Sequence, residues 1–314
     1  MKLLFITLIT SVVSFSTSFR HWVLYNHLPK YQHVDDWWDN PIIHNVGNTG
    51  IGGLFHAEMA PHVTKFIDYK AYNNTDIRYE IANEIACNFD HEDLTIVDFG
   101  CGVGMSTTAL QKAFNHKDHK IYGIDTSNEM LVKAKEINSH KNILYKHENI
   151  INRPIKDLEN KVDIVNLMFL LHEVPLIGQY QIIDAAYNLL KEKGYLFITD
   201  IHEKYNPSSL MLMGEPYLLD YKKNIRRTLT DVITIGKFKI ANKTTDFLNP
   251  YIPNHVSTTK LIKNTIRSST ALKSRVNDYL DIFDNNTESR NITVRDSINK
   301  NYKQKFLDIE TFYN

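Results

Sequence analysis

The residues of this chain able to do chemistry fall just after its apolar runs. The first set is Asp98 followed by Gly100, Gly102 and Gly104, within Ile96-Val97-Asp98-Phe99-Gly100-Cys101-Gly102-Val103-Gly104-Met105-Ser106. Alternating glycines let the backbone turn sharply and approach a ligand with no Cβ in the way. A pyrophosphate would be repelled by the acid just before the loop, and a dinucleotide loop wants a small residue where Met105 stands. The arrangement suits a ligand that carries positive charge. Asp125 closes the next apolar run, where a carboxylate is placed to accept hydrogen bonds from both hydroxyls of a ribose. Glu148-Asn149 follow a third run, and His172-Glu173 a fourth.

The elements needed to hold these residues can be read in order. Leu94 to Phe99 is β-prone, and Thr108, Leu110, Ala113 and Phe114 then recur at helical spacing, so strand, glycine loop and helix form the first unit of a doubly wound α/β sheet. Ligands bind such sheets at the carboxyl end of the strand, against the helix N-terminus. Lys120 to Ile124 reads as strand two, with Ser127 capping a helix that runs to about Asn138. Strand three is Ile143 to Lys146. Strand four, Val162 to Met168, is almost wholly apolar, as a strand buried on both faces must be. A helix over Gly178 to Leu190 and the turn Lys193-Gly194 lead to strand five, Tyr195 to Thr199, ending at Asp200. Beyond lie a helix from Asn224 to Ile235 and two strands, Lys237 to Phe247 and Ser257 to Ile262. Before the sheet, Ile77, Ile81, Ile85 and Phe89 mark a helix over about 76–88.

The glycine loop with its leading acid resembles motif I of the class I S-adenosylmethionine (SAM)-dependent methyltransferases, acid-x-G-x-G-x-G. Phe169-Leu170-Leu171-His172-Glu173 resembles the strand-four ending of their small-molecule branch, of the type 11/25 kind, in which an aliphatic pair, a histidine and an acid recur. The resemblance covers roughly residues 94–264. It implies an α/β fold with a doubly wound seven-stranded sheet in the order 3-2-1-4-5-7-6, strand seven antiparallel. An N-terminal helical lid over 19–93 and a polar C-terminal extension over 265–314 would flank it.

SAM is the cofactor the resemblance implies. Asp98 and the loop of Gly100, Gly102 and Gly104 would hold its methionine end and Asp125 its ribose. Glu148 and Asn149 would contact the adenine, with Glu148 standing where that family usually has Asp, and Met168 and Phe169 would form the floor. Methyl transfer to oxygen or nitrogen can require a base of pKa near the working pH. His172 is the candidate on position, and His202 the next; His172 could equally cap the strand-four loop. Glu173, Glu215, Tyr217 and Tyr221 fall in the segments expected to face the acceptor.

The formal net charge of zero gives no electrostatic case for nucleic acid, and the resemblance to the small-molecule branch implies a small-molecule acceptor. A protein or nucleic-acid methyltransferase and a non-catalytic SAM-fold partner protein remain alternatives. An NAD(P) oxidoreductase fits worst, given Asp98 and the two closing strands. Cys87 and Cys101 make no disulfide framework, and no zinc spacing appears, so no metal is expected. His116 and His119 read as surface residues of a polar loop.

Residues 1–18 read as a signal peptide: Lys2, an apolar run to Phe15, then Ser16, Thr17 and Ser18. An uncleaved anchor, which would bring in a membrane, and the two-part presequence of a complex plastid are the alternatives. The expected destination is therefore the secretory system or an organelle.

Overall fold

A computed structural model of the protein describes residues 44, 46–89, 93–115, 118–151, 155–234, 236–241, 245–247 and 255–264. The signal segment 1–18 and the extension 265–314 lie outside the described residues, as does the lid segment up to residue 43.

The sheet is built on a parallel core. β1 (Thr95–Phe99), β2 (Lys120–Asp125), β3 (Ile143–His147), β4 (Val162–Met168) and β5 (Leu190–Ile201) pair in the order 3-2-1-4-5. Every residue of β4 is buried, as expected of a strand covered on both faces. β8 (Val256–Lys263) pairs antiparallel with β5 through seven residue pairs, from Tyr195–Ile262 to Ile201–Val256. Its other edge takes two short antiparallel pieces, β6 (Phe238–Ile240) and β7 (Thr245–Phe247). The single strand expected over 237–247 is thus two pieces of one strand-six position. With them counted together, the order is 3-2-1-4-5-7-6 with the seventh strand antiparallel, the class I methyltransferase sheet.

Helices cover both faces. α1 (Gly50–Ala71) packs on α4 (Asn128–Ile137), and α2 (Ile77–Ala86) packs on α3 (Met105–Ala113). α5 (Leu176–Leu189) and α7 (Leu218–Thr234) lie together on the opposite face, and the short α6 (Ser209–Gly214) joins β5 to α7. Ser127 caps α4 as its sequence suggests, its hydroxyl accepting the Met130 N–H at 3.1 Å. α7 begins six residues earlier than the predicted Asn224, because Leu218, Tyr221 and Ile225 are already buried at helical spacing. β5 is likewise longer than predicted, since the chain pairs from Leu190 onward and shifts register between Val162 and Ile164 on β4.

His119 is a correction. It is buried at the foot of β2, where its Nδ1 accepts the Leu94 N–H at 2.9 Å and its ring meets the Phe114 ring edge-on.

Candidate active site

Asp98, the penultimate residue of β1, is wholly buried. Its carboxylate accepts hydrogen bonds from the Ser106 and Thr107 hydroxyls and the Asn166 amide, each at 2.7 Å. Burial pushes its pKa up, and those three donors draw it back down. The acid therefore ties the glycine loop to the first turn of α3 and to β4. Gly100 sits at φ 63 and Gly104 at φ 80, both left-handed, and a Cβ on either would collide with a side chain: Leu170 at 2.5 Å or Tyr145 at 2.2 Å. Gly102, at φ 51, differs. A Cβ there would meet nothing within 4 Å, because this glycine faces open space.

That space is a cavity of about 830 Å³ at the carboxyl ends of β1, β2 and β4, within the size range of preformed small-molecule sites. Asp125 lines it. One carboxylate oxygen accepts the Gly102 N–H and the other the Ser127 N–H, each at 2.8 Å. Each oxygen keeps a lone pair for a second donor. Burial lifts the Asp125 pKa to about 6, against the pull of those two amides. Glu148, Asn149, Met168 and Phe169 also stand in the wall. Phe169 holds φ 58, a left-handed conformation costly for an aromatic residue, and its N–H is fixed by the Thr199 carbonyl at 2.8 Å. The Arg78 guanidinium lies 4.9 Å from the Phe169 ring centre, in the cavity wall. Among the described residues Arg78 forms no hydrogen bond or ion pair.

The other end of the cavity is ionic. Asp200, at the end of β5, accepts the Leu171 N–H at 2.8 Å and the His172 N–H at 3.2 Å. Its other oxygen meets His172 Nδ1 at 2.6 Å. The imidazole is thereby oriented, with Nε2 left toward Glu215 Oε2 at 3.9 Å. Burial works to lower the His172 pKa, but the charges of Asp200, Glu215 and Glu173 outweigh it and hold it at about 9. His44 bridges the two glutamates, with Nε2 3.1 Å from Glu173 and Nδ1 2.9 Å from Glu215. α1 supplies an apolar wall of the cavity, including Phe55, Met59, Val63 and Phe66.

Residues 96–194 match the family described as a methyltransferase domain. A ubiquinone biosynthesis O-methyltransferase of Glaesserella parasuis is 30% identical over 129 residues, which is 40% of this chain and 52% of that protein. One from Methylococcus capsulatus is 29% identical over 124 residues, 39% of this chain and 50% of its own length. The chain spans about half the length of the curated relatives it matches. The solved CurJ carbon methyltransferase shares the fold, with a TM-score of 0.51 at 14% identity over 68% of this chain and 60% of that one.

Residues 96–194 carry a methyltransferase domain, set in a sheet of the class I order.

Such domains are SAM-dependent, and the residues present fit that group: an open glycine facing the cavity, a ribose-height acid and an unpaired guanidinium in one wall. Of the residues singled out in the sequence, the methyltransferase cavity gathers Gly100, Gly102, Asp125, Glu148, Asn149, Met168, Phe169, His172, Glu173 and Glu215. Five others are not in its wall. Asp98 lies beneath the loop and Gly104 behind it, against Tyr145. His202 is buried, with its Nδ1 accepting the Lys204 N–H at 3.0 Å. Tyr221 donates its hydroxyl to the Ile201 carbonyl at 3.0 Å inside the core, and Tyr217 is buried one helical turn before it. These tyrosines are packing residues because α7 starts early and turns them inward.

Cys101 lines the wall, but burial and the charges of Asp125 and Asp98 push its thiol well up, so it is no nucleophile. Sequence reasoning missed His44, Arg78 and the partnership of Asp200 with His172. Arg78 had a signal: it occupies the first turn of α2, where a cation opposes the helix dipole. His44 had none, because nothing local marks it.

Proposed function

We propose that this protein transfers the methyl group of SAM to an oxygen atom of a small-molecule acceptor with a largely apolar body. The observation that carries the reading is His172, held by Asp200, facing the same cavity as Gly102 and Asp125. The O-methyltransferase names of the two curated relatives favour oxygen over nitrogen. The α1 wall of Phe55, Met59, Val63 and Phe66 supports an apolar acceptor body.

SAM supplies a methyl group activated on a sulfonium. Asp125 accepts hydrogen bonds from the ribose hydroxyls, and Glu148 and Asn149 meet the adenine edge. Gly102 lets the backbone approach the methionine portion, and Arg78 receives its carboxylate. The cavity would bring the acceptor oxygen beside the methyl group, and that proximity can supply much of the acceleration. His172, held by Asp200, would take the acceptor's hydroxyl proton on Nε2, as the new C–O bond forms and the C–S bond breaks, only in its neutral form. A pKa of about 9 makes that the minor form at neutral pH, so turnover should rise as pH climbs toward 9. S-adenosylhomocysteine and a methyl ether leave.

The test incubates the purified chain with methyl-labelled SAM and an extract of small molecules, then fractionates by polarity. Label is expected in an apolar fraction, on oxygen. Label on protein or nucleic acid alone would defeat the small-molecule reading. Residues 1–18 are further proposed to direct the chain out of the cytosol. A fluorescent fusion of residues 1–40 left diffuse in the cytosol would remove that proposal.

A further inference from the structure

We propose that His44, Glu173 and Glu215 bind a divalent transition-metal ion at the acceptor end of the cavity. This rests on the methyl-transfer reading for its purpose, and on the side-chain geometry for its existence.

One ligand atom from each of the three residues lies within 4.8 Å of the others. All three side chains stand in the cavity wall and are largely shielded: 27% exposed for His44, 25% for Glu173 and 12% for Glu215. They come from three separate places in the chain, before α1, after β4 and after α6, so the cluster is a product of the fold. A protonated His44 between two carboxylates would also hold them together. A second observation favours a cation. Glu215 Oε2 is buried and accepts no hydrogen bond: His172 Nε2 stands 3.9 Å away, while its sister oxygen meets His44. Burying an anionic oxygen with no hydrogen bond is costly, and an imidazole at 3.9 Å offsets that cost only in part. A metal ion bound by this carboxylate would satisfy it.

One imidazole and two carboxylates form a mixed nitrogen and oxygen set, suited to Mn²⁺, Fe²⁺ or Zn²⁺ rather than to Ca²⁺. Three protein ligands leave positions open, as catalytic metal sites do. The three ligands line the cavity together with His172, so an ion held there would be open to an acceptor bound in it. An ion there binds the acceptor oxygen and lowers the pKa of its hydroxyl. The acceptor class narrows accordingly, to molecules presenting an ionisable hydroxyl, such as phenols or enols.

The experiment strips the purified full-length chain with a chelator and titrates it with Mn²⁺ by electron paramagnetic resonance and Zn²⁺ by calorimetry. One saturable site per chain is expected. Glu173→Gln and Glu215→Gln keep the side-chain shape and lose the charge, and His44→Ala removes the nitrogen; each should weaken the site at least about 10-fold. Glu136→Gln, on the exposed face of α4, should leave it unchanged. SAM binding is measured on the same stripped samples and should persist. SAM binding without a Mn²⁺ or Zn²⁺ site, or a site indifferent to Glu215→Gln, overturns the metal and leaves His44 as an ion-pair bridge. Metal binding without SAM binding keeps the site and removes the methyl-transfer reading instead.

Discussion

At the loop end of the cavity, Asp98, Gly100, Gly102, Ser106 and Thr107 lie within ten positions of one another. At the ionic end, the interacting groups come from positions 44, 172, 173, 200 and 215. The loop end is mostly backbone, and its acid is spent on its own chain. The ionic end is mostly side chains, with charges at bonding distance. One carboxylate oxygen there, Glu215 Oε2, accepts no hydrogen bond and lies 3.9 Å from His172 Nε2. The contrast matches the demands of the two ligands. A group shared by a whole fold class can be held by a short conserved geometry of turn and helix. An acceptor peculiar to one protein is met by loops trailing from several strands.

The largest expected effect belongs to the ionic end. His172→Asn keeps size and polarity but removes the proton acceptor, so turnover should fall by roughly 100- to 10,000-fold. SAM affinity, measured separately, should hold. Turnover unchanged in that variant would reduce this end to a positioning device.

At the loop end the corresponding change should cost stability more than chemistry. Asp98→Ala strands three buried donors and should lower unfolding free energy by about 3 kcal/mol. Denaturant midpoints would show it, and a variant as stable as the parent would mean the carboxylate waits for a ligand.

Asp125 is the loop-end group that does face the cavity. Asp125→Ala should weaken SAM by on the order of 1–3 kcal/mol through lost charge-assisted hydrogen bonds. The carboxylate is the form that accepts from ribose, and its pKa stands at about 6. Affinity of the parent chain should therefore be full above that pH and decline as pH falls through it. Asp125→Ala should show no such decline. A pH-independent parent would place the ribose elsewhere.

The smallest effect sharpens the boundary between the two ends. Arg78→Met keeps the packing on Phe169 and removes the charge. The preference for SAM over its decarboxylated analogue should shrink by about 5- to 10-fold. An unchanged ratio would free Arg78 to serve the acceptor.

Much of the fold was legible because its signals are local. The run ending at Asp98, the capping Ser127 and the all-apolar β4 each announce themselves within a few residues. The start of α7 was misjudged because Tyr217 and Tyr221 look like pocket residues until their helical register is set by Leu218 and Ile225. His119 was misread because the polar residues around it hide the Leu94 amide it caps, 25 positions away. The same reason conceals His44. Its partners lie more than a hundred residues on, and only packing brings them together. Asp200 was visible as a strand-ending acid, yet its bond to His172 depends on the register of β4 against β5.

The central claim is that the cavity beside Gly102 and Asp125 is a SAM site. Calorimetric titration of the full chain tests it most directly, with SAM, S-adenosylhomocysteine and NADH as separate ligands. Binding of the first two with a stoichiometry of about one, and none of the third, is predicted from Asp98 before the glycines and the antiparallel β8. NADH binding with no heat from SAM would contradict the account.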